Sequence, residues 1–216
     1  MACSGSGGLT SASTPIAMDP SPSPLLSSPS PFKSPSPLPT SLVPTPLIRY
    51  GSIGLSAIPG AAMVSVSLKG STAADLTAQM NQRMPSVGGH TEGAYTSWHP
   101  SLGSATIING VCSTSRVTLN DAITVTGPIW TPPPGTDPSL VAEWRQFMVS
   151  LTIHEKGHVD IILAGAPYIL QAVHATTCAN ANAAATAVVN QIGQQNVAYD
   201  AATNHGATQG AYWPPA

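Results

Sequence analysis

The stretch DPSLVAEWRQFMVSLTIHEKGHVDIILAGAPYILQAVHAT, residues 137–176, decides how the rest of the chain is read. Asp137-Pro138-Ser139 opens it with a capping residue and a proline in the first turn, where a missing N–H costs nothing. Val141, Trp144, Met148, Leu151 and His154 then recur at steps of three or four, and Phe147 widens the stripe. One face is therefore apolar, and the spacing predicts a long helix running past His158 and Ile161-Ile162 to about Thr176.

Within that helix lies His154-Glu155-Lys156-Gly157-His158. Histidines four apart stand one turn apart on nearly the same face, so both imidazoles can share one Zn²⁺ at about 2.0–2.1 Å per bond. Glu155 is rotated by about 100° from His154, within reach of a zinc-activated water without ligating the metal. That is the chemistry of His-Glu-x-x-His. The chain has six His and three Glu, and shuffling that composition would give the pattern in roughly two chains per thousand.

Catalytic zinc takes three protein ligands and leaves one position open. His174 lies 16 residues beyond His158, about 24 Å along the helix, and Glu143 lies too far before His154. A metzincin arrangement needs Gly and His three and six residues after the second histidine, where Ile161 and Ala164 stand. His90, His99, Asp200 and His205 remain. A second helix, Ala179 to about Ala202, is expected to return antiparallel after a turn near Cys178. Its end then comes back beside His154 and His158. His205 is therefore taken as third ligand, with Asp200 either supporting an imidazole or competing as ligand, while His90 and His99 read as ordinary strand histidines. Tyr199 is the nearest candidate for an oxyanion stabiliser, with Tyr95 and Tyr212 as alternatives.

Working outward, Met63 to Leu68 alternates as a strand, and Gly70-Ser71-Thr72 caps a helix from Ala73 to Met84. His90 to Trp98, Ser104 to Ile108 and Arg116 to Thr126 read as strands, and Gly127 to Pro138 as a Pro-rich loop. Strands first and two long helices last predict an α+β domain over 49–216, a small antiparallel or mixed sheet packed on the helices. Cys112 and Cys178, the two cysteines of this part, are expected to pair in an oxidising compartment.

Residues 1–48 hold eleven of the 22 prolines, six of them in Ser-Pro steps, the composition of a disordered tether near polyproline II. Met1-Ala2-Cys3-Ser4-Gly5 allows two readings, an ordinary cysteine in the tail or the remnant of a lipoprotein processing site, and the expectation is a secreted or cell-envelope protein. No apolar run approaches the ~20 residues of a transmembrane segment. With a net charge of -2 and 7% charged residues, the chain lacks the basic stripe of a nucleic-acid binder.

Trp144-Arg145-Gln146-Phe147, the His-Glu-Lys-Gly-His segment, and Tyr199-Asp200-x-x-Thr203-x-His205-Gly206-x-x-Gln209-Gly210-Ala211 together resemble a bacterial family described as secreted zinc-dependent proteases and catalogued as domain of unknown function 922. The resemblance spans roughly residues 60 to 214, with Trp98, Cys112, Thr118-Leu119 and Cys178 included. One departure is Asn120-Asp121, where members usually carry a Pro. The resemblance implies a zincin-like fold, Zn²⁺, His154 and His158 as ligands and Glu155 as the catalytic residue. The expectation is a zinc metallopeptidase cleaving protein or peptide outside the cytoplasm, with Arg116 to Thr126 as the strand that aligns substrate. The alternatives are an envelope amidase or esterase and a catalytically inactive envelope binding domain.

Overall fold

The computed structural model describes residues 51–87 and 90–214. In chain order they form β1 (Ile53–Gly54), β2 (Ala62–Leu68), α1 (Ala73–Arg83), β3 (Ser86–Val87), β4 (His90–Thr91), β5 (Tyr95–Leu102), β6 (Thr106–Ile108), β7 (Val111–Ser113), β8 (Leu119–Trp130), α2 (Pro138–His174), α3 (Ala181–Thr203) and a 3-10 turn (Ala207–Gln209). This is the expected α+β order. The tether and Cys3 lie outside the described residues.

β8 organises the sheet. It pairs in parallel with β2, Ala62 opposite Thr124 through Leu68 opposite Trp130. Its other edge takes β5 antiparallel, from Leu102 opposite Leu119 to Tyr95 opposite Thr126, and then β1 at Ile129 and Trp130. The sheet is therefore mixed. Only the first four residues of the loop expected from Gly127 to Pro138 differ: they are the last third of this strand, and the loop follows from Thr131. On the edge shared by β5 and β1, pairing pauses at Gly127-Pro128, so a residue without an N–H interrupts no ladder there. The strand expected from His90 to Trp98 is likewise divided, β4 ending at Thr91 before β5 begins at Tyr95.

α2 begins as the sequence indicates: Asp137 caps it by accepting from the Ser139 N–H at 2.9 Å. At 37 residues it is about 56 Å long, and it serves two apolar clusters. Its first half buries Leu140, Val141, Trp144, Phe147, Met148 and Leu151 with Leu76 and Met80 of α1 and Trp130 of β8. Its second half buries Val159, Ile162, Ile169 and Val173 with Ile123 and Val125 of β8 and Ile192 of α3. Fully burying such a Val, Leu or Ile contributes roughly 1.5–3 kcal/mol. Between the clusters the buried stripe continues without interruption, but in polar residues: Ser150, His154, Glu155 and His158. The centre described below occupies that seam.

α3 carries its own stripe, Ala181, Ala185, Ile192, Asn196 and Thr203 buried at helical spacing. It runs antiparallel to α2, since Ile192 packs at Gly165 and Tyr199 at Gly157. The turn between the helices is fastened by the Cys112–Cys178 disulfide, as the sequence suggested. It ties the β6–β7 hairpin to the helical pair across 66 residues, a closure worth about 4 kcal/mol in the chain-entropy account. His174, excluded as a ligand, bonds through Nε2 to the Val117 carbonyl at 2.9 Å beside that turn.

Candidate metal centre

Three donor atoms converge where α3 crosses the seam of α2. His154 Nε2 and His158 Nε2 are 3.3 Å apart. Asp200 Oδ1 lies 3.4 Å from the first and 3.0 Å from the second. A tetrahedral zinc with bonds near 2.0–2.1 Å needs its donors about 3.3 Å from one another. The three residues are the group among the described residues able to hold a metal ion.

The amide partners of the rings show how the lone pairs are aimed. Asn196 Nδ2 donates to the Ile192 carbonyl at 3.0 Å, which leaves Oδ1 facing His158 Nδ1 at 2.8 Å. Gln209 Nε2 donates to the Tyr199 hydroxyl at 3.1 Å, which leaves Oε1 facing His154 Nδ1 at 3.0 Å. A carbonyl oxygen only accepts, so each Nδ1 is the protonated nitrogen. Both Nε2 atoms are then the basic ones, turned towards Asp200. Such ring partners orient ligands and raise their basicity. Asn196→Ala and Gln209→Ala are each expected to weaken affinity for a metal ion at this cluster 10–100-fold with the fold intact, as measured by chelator competition alongside circular dichroism.

Charge in the cluster follows from the same geometry. Burial pulls the Asp200 carboxyl upward, but hydrogen bonds and charge from His154 and His158 outweigh it and hold it well below the usual range. Burial of the His158 ring opposes its protonation, yet Asp200, Glu155 and Asn196 prevail and hold it above the ordinary imidazole value. A field that favours a proton between these groups favours a dication in the same place.

Glu155 lies beside the cluster but outside it. It is buried, and one carboxylate oxygen accepts from the Thr96 hydroxyl of β5 at 2.5 Å. Burial pushes its pKa up, against opposing pulls from the His158 charge, the Thr96 bond and His154. A carboxyl so placed has the raised basicity suited to accepting a proton.

Asp200, not His205, completes the cluster. The expected antiparallel return is present, but contact with α2 is set by the helical stripe. Asp200 stands four residues after Asn196 and beside Tyr199, on the face turned to α2. His205 comes after the helix ends in left-handed Asn204, is itself left-handed at φ 50° and is exposed. His99 is exposed on β5, and the side chain of His90 lies outside the described residues.

Tyr199 stacks on the His154 ring with centroids 5.3 Å apart, and its hydroxyl donates to the His154 carbonyl at 3.3 Å. Burial pushes its phenol pKa up. The ring occupies the space over Gly157, where an added Cβ would lie 2.2 Å from the hydroxyl oxygen. Tyr199 thus braces His154 against the helix backbone. Gly206, at φ +80°, lets the turn after α3 close on the other side, where a Cβ would meet His154 Cγ at 2.9 Å. Tyr95 is half-buried on β5, and Tyr212 is exposed after the 3-10 turn.

Sequence reasoning did not assign roles to Thr96, Asn196 or Gln209. The α3 stripe through Ile192, Asn196, Tyr199 and Thr203 carried a signal for Asn196 and for Asp200 beside it. Thr96 sits 59 residues from Glu155 and is brought there only by strand register.

No curated protein and no solved structure matches the chain. The family model for "bacterial protein of unknown function (DUF922)" matches residues 64–206, which hold the whole donor cluster, and the chain belongs to that family.

Proposed function

We propose that this protein is a zinc-dependent hydrolase that cleaves peptide bonds outside the cytoplasm. The observation that carries this reading is the convergence of His154 Nε2, His158 Nε2 and Asp200 Oδ1 at tetrahedral spacing beside a buried carboxylate that is not one of the donors. When bound, Zn²⁺ supplies the Lewis acidity that makes water a nucleophile near neutral pH. The chain's own residues do the rest. Asn196 and Gln209 fix the imidazoles, Asp200 balances the positive charge, and Glu155 accepts the proton of the attacking water and returns it to the leaving nitrogen.

A peptide is favoured because of what lies next to Glu155. Beside the site, Thr124 to Thr126 of β8 are paired on both edges, to β2 and to β5. β8, expected to align substrate, therefore has no edge to offer there. Among the described residues β5 pairs on one side only, and it brings Thr96 to Glu155. An extended peptide adding to that outer edge would satisfy its backbone along the sheet. The Cys112–Cys178 disulfide fits an oxidising compartment, and no helix among the described residues is long and apolar enough to cross a membrane.

Protein purified without chelator should carry zinc near equimolar with the chain and cleave members of a quenched peptide library. Chelation should abolish cleavage, and zinc should restore it. Absence of metal, or cleavage undiminished after chelation, would overturn the reading.

A further inference from the structure

Glu143, Phe147, Ser150 and His154 follow one another on α2 at steps of four, three and four, so they form one line along the helix. Beside the earlier part of that line a cleft of about 260 Å³ opens. Glu143, Gln146, Phe147 and Ser150 form one wall, and Gln209 and Tyr212, from the segment after α3, line the other. The inner end adjoins the metal centre, because Gln209 Oε1 is the atom that holds His154 Nδ1 at 3.0 Å. Glu143 is exposed, 11 residues before His154 and so about 16 Å from it along the helix.

Among the described residues, the Glu143 carboxylate makes no ion pair or hydrogen bond. The Gln146 amide and the Ser150 hydroxyl also have no hydrogen-bond partner there. The cleft therefore combines aromatic walls, two polar groups free to bond a ligand, and one uncompensated negative charge. That combination suits a long aliphatic stem ending in a cation, whose methylenes lie along the rings while its tip meets the carboxylate. An acidic side chain would be repelled there, and a neutral one would gain nothing from Glu143.

We infer that this cleft is a recognition subsite for a lysine or arginine side chain of an extended peptide held at the metal centre. The ligand's being a peptide rests on the function proposed above. An extended chain advances about 3.3 Å per residue, so 16 Å corresponds to roughly five residues, fewer once the reach of the side chain is counted. The basic residue thus stands several positions from the bond that is cut.

The test uses the zinc-loaded Glu155→Gln protein, which keeps the ligands but does not turn peptide over. Dye-labelled decapeptides, N-acetylated and C-amidated so that the side chain carries the only cation, present a single lysine or norleucine stepped along the sequence. At the matching position, lysine is expected to bind about fivefold more tightly than norleucine, the upper range for an exposed ion pair, with the difference shrinking in high salt. Adding Glu143→Gln should erase the preference without changing zinc content, and Glu143→Lys should transfer it to a glutamate peptide. Equal binding of lysine and norleucine peptides at every position, or a preference that survives Glu143→Gln, would overturn the inference. Cleavage by wild-type protein without such a preference would sink the subsite alone. A preference in protein whose wild type cleaves nothing would sink the peptidase reading and leave the subsite standing.

Discussion

Asp200→Ala protein is expected to lose its zinc, whereas His205→Ala protein keeps it. The carboxylate supplies one of three donors at 3.0 and 3.4 Å from the imidazole nitrogens, and it carries the negative charge that offsets a dication. Its loss should therefore exceed the 10–100-fold that follows removal of a residue merely holding a ligand. His205 is exposed beyond the end of α3, so its removal takes nothing from the cluster. The same substitution removes the first of the influences that raise the His158 pKa, so that value should fall in metal-free Asp200→Ala protein. Metal content after dialysis, chelator competition and the His158 titration by NMR read the three effects separately. Zinc retained at wild-type affinity by Asp200→Ala would falsify the donor set.

The second large effect concerns Glu155→Gln. Glutamine fills the same volume and can still bond Thr96, but it accepts no proton. Hydrolysis is expected to fall 10²–10⁴-fold, the usual contribution of a positioned general base, while zinc content stays at the wild-type level. A stability effect of opposite sign accompanies it. Burial raises the Glu155 pKa in the folded protein. A carboxyl raised on folding binds its proton more tightly folded than unfolded, so its stabilising contribution is full below the unfolded value and is lost as pH rises through the folded value. Metal-free Glu155→Gln protein should therefore melt above metal-free wild type at neutral pH. The difference should vanish in acid. A lower melting temperature at pH 7, or activity within tenfold of wild type, would count against the role assigned to Glu155.

Periodic features are legible in the sequence itself. The α2 stripe placed His154, Glu155 and His158 on a helix because burial against a sheet imposes steps of three and four on apolar residues. Cys112 and Cys178, the two cysteines outside the tail, left one pairing within the domain. What escaped depends on information carried elsewhere in the fold. The sequence points to His205 over Asp200 only through where the second helix should end, and helix ends are poorly marked in an Ala-rich segment such as α3. The rotation of Asp200 and Asn196 towards α2 is what puts this carboxylate in the cluster. The sequence marks the end of β8 at Thr126, because Gly127 opens a Pro-rich run. The pairing gap between β5 and β1 that accommodates the proline arises from two strands distant in sequence. Thr96 reaches Glu155 through the register of β5 on β8, which no local pattern encodes.

The disulfide has a further consequence when set against the donor cluster. α2 and α3 form a hairpin whose closed end is fastened at Cys178 and whose open end carries His154 and His158 opposite Asp200. A metal held there acts as a second clasp on the same pair of helices. Each clasp lowers the entropy that the other must overcome, so the factor by which the disulfide raises metal affinity is also the factor by which bound metal favours the disulfide. Oxidation would then tune metal affinity from the far end of the hairpin. In a reducing compartment the same chain would be a poorer metal trap, and it would reach full affinity only once its cysteines had joined.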